Sequence, residues 1–109
     1  DVNRQQCDGA MDDVMTVGDI ATKFRDFGAV VAECDAHDLA AMRAAKATTH
    51  KGRPLIVLAH SRPTQGMEHL MARFPRLHYV RFKSEDERAQ MNQAISAELG
   101  IAPVAIGAH

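Results

Sequence analysis

Two short, nearly continuous apolar runs, Ala29-Val30-Val31-Ala32-Glu33-Cys34 and Leu55-Ile56-Val57-Leu58-Ala59, constrain this chain more than any other feature. The first, β-branched in its middle, reads as a strand buried on both faces, and the second as another continuous apolar strand after a boundary proline. The residues before and between them carry a helical period instead. Over residues 16–27, Val17, Ile20, Phe24 and Phe27 fall at steps of three, four and three, the spacing of an amphipathic helix that Gly28 ends. Residues 39–47 are alanine-rich, with Asp35 or Asp38 placed to cap the free amides of a helix, and Lys51-Gly52-Arg53-Pro54 breaks it. Helix, strand, helix, strand is the βαβ pattern, which predicts an α/β fold: a parallel sheet flanked by helices.

A last helix is expected after residue 84. Ser84 with Glu87 forms a capping box, Met91, Ile95 and Leu99 make one stripe, and Gly100 closes it. Residues 60–80 show no period and are punctuated by Pro63, Gly66 and Pro75; an irregular stretch of that length inside a domain is usually functional or mobile. Residues 100–109 read as a tail or linker. The first nine residues, Asp1-Val2-Asn3-Arg4-Gln5-Gln6-Cys7-Asp8-Gly9, are polar and turn-forming, so the chain reads as starting just after a strand, where an α/β protein keeps its ligand.

Composition narrows the function. The 109 residues, 46% hydrophobic and 25% charged, fit one globular domain or half of one. With 13 basic and 14 acidic residues there is no electrostatic footprint for nucleic acid or an anionic membrane. The longest apolar run, residues 55–59, is far short of the roughly 20 residues that span a bilayer. A soluble, cytoplasmic protein is expected, with Cys7 and Cys34 as free thiols rather than a disulfide.

Three loops follow predicted strands: residues 3–9, 35–38 and 60–80. They hold four of the six histidines. Asn3 offers a neutral oxygen, with a backbone carbonyl two residues on, which suits a hard cation such as magnesium that also takes phosphate oxygens; the plainer reading of Asn3 is an Asx turn. His60, His69 and His78 recur every nine residues, which matches no helix face and no zinc-ligand spacing. His37 lies between two aspartates, which would hold one tautomer or simply form a helix-cap cluster.

Taken in order, these segments resemble the transketolase family. Asn3 with Asp8-Gly9 is similar to the family's DxN-x-x-x-x-DG segment, Phe24-Arg25-Asp26-Phe27-Gly28 to its W-R-A-F-G-W helix end, and Glu33-Cys34-Asp35-Ala36-His37-Asp38 to E-V-D-G-H-D. Residues 52–61 resemble G-K-P-T-V-I-I-A-H-T, and Gly66-Met67 and Leu77-His78-Tyr79 resemble later motifs. The resemblance covers residues 1–99 and is closest to the N-terminal subunit of bacterial split transketolases. It implies the C-terminal half of a thiamine-diphosphate-binding domain, in an enzyme transferring a two-carbon ketol unit between sugar phosphates.

By the same resemblance, Asn3 would give its side-chain oxygen and Gln5 its main-chain carbonyl to the Mg²⁺ (or Ca²⁺) bridging the diphosphate. His78 would be the catalytic histidine near the diphosphate and donor substrate, and His60 would stand beside the diphosphate. Asp35, His37 and Asp38 would shape the loop. The partner would be a pyrimidine-binding domain or subunit in a dimer or hetero-oligomer. Two departures are plain: Ala36 replaces the usual glycine, and Ser61-Arg62-Pro63-Thr64-Gln65-Gly66 lacks both lysines of T-x-K-G-K-G. Rival expectations are a non-catalytic scaffold with a degenerate cofactor site, an E1-type 2-oxo acid dehydrogenase fragment, and an unrelated small α/β domain.

Overall fold

Val30 to Asp35 (β3) and Leu55 to His60 (β4) run parallel, with Val30 opposite Leu55 and Asp35 opposite His60. Val2 adds to the far side of β4: its N–H donates to Ala59 O at 2.8 Å and its carbonyl accepts from Ser61 N at 3.2 Å, in parallel sense. The order across the sheet is therefore Val2, β4, β3. The computed structural model describes residues 1–103, so of the expected tail at 100–109 only the first residues are described and 104–109 lie outside.

Helices cover opposite faces of the parallel pair. Successive strand side chains alternate faces. Glu33 meets Arg25 of α2 (Ile20–Asp26), whereas its neighbour Cys34 meets Met42 of α3 (Leu39–Lys46) at 3.3 Å. Both helices begin on an aspartate: Asp19 Oδ1 accepts from Thr22 N, and Asp38 Oδ1 from Ala40 N and Ala41 N. Of the two candidates for the second cap, Asp38 is the one used. Asp35 instead accepts from His37 N in the loop. Gly28, at φ 89°, turns the chain out of α2, a conformation glycine reaches without steric cost.

The first helix is shorter than its period indicates. It starts at Ile20, leaving Val17 outside, and Phe27 is 90% exposed. Nor are the strands buried on both faces: no residue of β3 is buried and only Leu58 of β4 is. The core is thin, consisting of Ala21, Ala29, Ala45, Leu58, Leu70 and Met91.

The N-terminal polar stretch forms a hairpin that the sequence does not announce, Gln5–Gln6 (β1) against Gly9–Ala10 (β2), followed by a single-turn helix, Met11–Val14 (α1). The stretch expected to be irregular, 60–80, is so after His60, which belongs to β4, apart from a 3₁₀ helix at Glu68–Arg73. The final helix, Glu85–Leu99 (α4), is capped by Ser84 Oγ on Glu87 N at 3.2 Å and ends at Gly100 in the left-handed region.

The reciprocal half of the expected capping box is redirected. Glu87 accepts from Lys83 N at 2.5 Å and from the Arg73 guanidinium, so it ties α4 to the 3₁₀ helix. The apolar stripe of α4 is split too, because Met91 is buried while Ile95 and Leu99 are 36% and 64% exposed. The helix makes no extensive contact with the strands or with α2 and α3. The result is an elongated molecule of 53 × 32 × 22 Å.

The Arg73 hydrogen bond, followed by that from Lys83 N–H, holds the Glu87 carboxyl below its ordinary value. A depressed carboxylate stabilises the fold above its unfolded pKa and loses that contribution as pH falls through the folded value. Acidification from pH 6 to 2 should therefore loosen the first turn of α4, followed by its amide NMR shifts, and Glu87→Gln should remove that transition. A first turn whose shifts stay flat over the range in the parent protein would show that the tie carries no load.

Candidate functional site

The carboxyl ends of Val2, β4 and β3 are side by side, so the loops after them share one edge of the sheet, the edge at which parallel α/β proteins bind ligands. Three backbone and side-chain links join those loops. Ala36 N donates to His60 O at 2.9 Å, His37 Nε2 accepts from Arg62 N at 2.8 Å, and the Ser61 hydroxyl donates to Asp1 Oδ1. Accepting that amide requires an unprotonated Nε2, so neutral His37 carries its proton on Nδ1. Of the three residues expected to shape this loop, His37 makes one of these links, Asp35 accepts from His37 N and Asp38 caps α3.

Asn3 forms the Asx turn that its residue type favours: its Oδ1 accepts from Gln5 N at 2.9 Å, and its Nδ2 donates to Asp1 Oδ2 at 3.0 Å. The turn forces Arg4 into the left-handed region at φ 58°, uncommon for a residue with a Cβ. Arg4 O then accepts from Met11 N, closing the hairpin segment back on itself.

Asn3, Gln5 and His78 line one cavity of about 260 Å³, together with Gln6, Pro63 and Leu77. The Gln5 side chain carries an unusual feature. Its Nε2 is buried without a hydrogen-bond partner. An unpaired buried donor costs about 1–3 kcal/mol. His78 packs edge-on against Tyr79, with ring centroids 4.6 Å apart.

His60 lies elsewhere. As the last residue of β4 it reaches Glu33 on the neighbouring strand at 3.0 Å, and Glu33 also meets Arg25 at 3.5 Å. These side chains are about half exposed, so the pairs contribute less than about 1 kcal/mol each. His60 borders cavities of about 640 and 320 Å³ rather than the one shared by Asn3, Gln5 and His78. Three of the four expected site residues are therefore brought together and the fourth is set apart.

The chain pattern gives no sign of Arg4, which borders three of the cavities at this edge. Glu33 could have been found, since a carboxylate near the end of an otherwise apolar strand calls for a partner. Among the described residues no group of three His, Cys, Asp or Glu could hold a metal ion, and no helix is long and apolar enough to cross a membrane. Cys7 and Cys34 are both free thiols. No family model, curated protein or solved structure matches the chain.

Proposed function

We propose that this chain is part of a transketolase-like, thiamine-diphosphate-dependent transferase and that its α/β unit is half of the domain gripping the diphosphate. The observation that carries the reading is the cavity common to Asn3, Gln5 and His78, at the carboxyl edge of parallel strands. The donor set suits a hard cation in part. Asn3 Oδ1 uses one lone pair on Gln5 N and keeps another, and the Gln5 carbonyl is a second neutral oxygen. The remaining ligands would have to be phosphate oxygens and groups outside this chain.

When bound, thiamine diphosphate supplies a centre that stabilises a carbanion. This chain's residues would orient it: Asn3 and the Gln5 carbonyl on the metal side, and His78 as a proton-carrying group near the donor. The chain's surface supports a partner subunit. Its exposed area is 8206 Å², whereas scaling for an 11.9 kDa monomer gives about 5,950 Å². The surplus, roughly 2,250 Å², is of the order that obligate interfaces bury. Phe27, Leu39, Tyr79 and Leu99 are among the large apolar side chains left exposed.

One observation favours the scaffold reading instead, namely that Asn3 Oδ1 is already engaged in a turn. A thermal-shift titration of the full-length protein and its partner with thiamine diphosphate and Mg²⁺ separates the two. Saturation to 100-fold the Kd should stabilise the parent by about 2.7 kcal/mol. Asn3→Ala should abolish the shift and Asn3→Asp, which keeps the turn oxygen, should preserve it. An unchanged shift in Asn3→Ala would remove the metal role of Asn3, and no shift in the parent would leave the scaffold.

A further inference from the structure

We propose that Arg4 and Arg62 form a clamp for a phosphate monoester with an apolar body, in a second cavity beside the first. This cavity, about 610 Å³, is lined by the polar Arg4, Ser61 and Arg62 together with the apolar Pro63, Met71 and Phe74. Those three polar residues also line the adjoining 640 Å³ cleft, so they stand at the junction of both spaces.

The two cations are held ready rather than spent. Arg4 makes no ion pair or side-chain hydrogen bond among the described residues, and its backbone is fixed by the Asn3 turn and by Met11 N. Arg62 has its backbone amide held by His37 Nε2, while its guanidinium donates from two nitrogens to the neutral Gln65 Oε1. A dianion displaces a neutral amide oxygen readily, because charge-assisted bonds to a guanidinium fork are roughly twice as strong. Glu68 lines the same cavity and offsets one positive charge. Of the acids in the adjoining cleft, Glu33 is taken by Arg25 and His60, and Asp35 accepts from His37 N.

The apolar lining explains why the ester should be preferred over free phosphate. Met71 is 51% and Phe74 49% exposed, so an aromatic or aliphatic group on the ester gains burial there. The clamp is independent of the thiamine diphosphate reading, since neither Mg²⁺ nor a thiazolium takes part.

Calorimetric titration of the full-length protein, in chelator and at low salt, tests it with phenyl phosphate, inorganic phosphate and phenol. Phenyl phosphate should bind about tenfold more tightly than inorganic phosphate, and phenol should not bind measurably. Arg62→Gln and Arg4→Asn, the latter suited to left-handed backbone, should each weaken phenyl phosphate about tenfold with the melting temperature unchanged. Phe74→Ala should bring the ester down to the affinity of inorganic phosphate. Phenol binding as tightly as the ester, or folded Arg variants with parental affinity, would overturn the proposal.

Discussion

Leu58→Ala is expected to lower the unfolding free energy of the protein by about 3 kcal/mol, near the middle of the range for truncating a buried leucine. Leu58 is 7% exposed and sits on the central strand, opposite Glu33 and flanked on the other side by the Val2 segment. It lines the same 320 Å³ space as Ala21 of α2, so truncation opens the contact between that helix and the sheet. With so few buried residues the loss has little else to fall back on. Urea unfolding followed by circular dichroism would measure it, and a cost under about 1 kcal/mol would show that the sheet is not the stability centre.

Met91→Ala should behave differently, with a loss that stays local. Met91 is 6% exposed, and His69 Nε2 lies 2.6 Å from its sulfur, so it pins α4 to the 3₁₀ helix where Leu70 is also buried. Removing it should cost about 2–3 kcal/mol, but only in the segment it joins. Hydrogen exchange should therefore show the α4 amides losing about 30- to 160-fold protection, with β3 and β4 unchanged. Equal losses in the two strands would mean that α4 and the sheet open as one unit, against their lack of extensive contact.

The parts of the fold legible in the sequence are those that depend on neighbours in the chain. β4 begins at Leu55 as its apolar run predicts, Asp38 and Ser84 cap the helices they precede, and Gly28 and Gly100 stop them. The hairpin at residues 5–10 was not legible, because two glutamines carry no strand signal and the pairing depends on the turn at Cys7-Asp8. The extent of burial was misread for the same kind of reason. An apolar run predicts a fully buried strand only if enough covers it, and α2 and α3 leave β3 at most half-buried while Ile95 and Leu99 of α4 are exposed.

The candidate site divides in the same way. Asn3 as an Asx turn follows from its side chain and the two residues after it, and the loop role of Asp35 and Asp38 follows from local hydrogen bonding. That Asn3, Gln5 and His78 face one cavity while His60 turns to Glu33 depends on where a chain crossing from residue 3 to residue 78 comes back, which no local pattern encodes.

The sequence by itself determined the order α2, β3, α3, β4 and α4, their caps and stops, and the polar loops after the two strands, because these follow from interactions a few residues long. Only the tertiary structure decided which loops meet, how thin the core is, and that Arg4 and Arg62 share a cavity. Those outcomes depend on the parallel register of Val2, β4 and β3, which brings residues 2 and 60 into one backbone bridge.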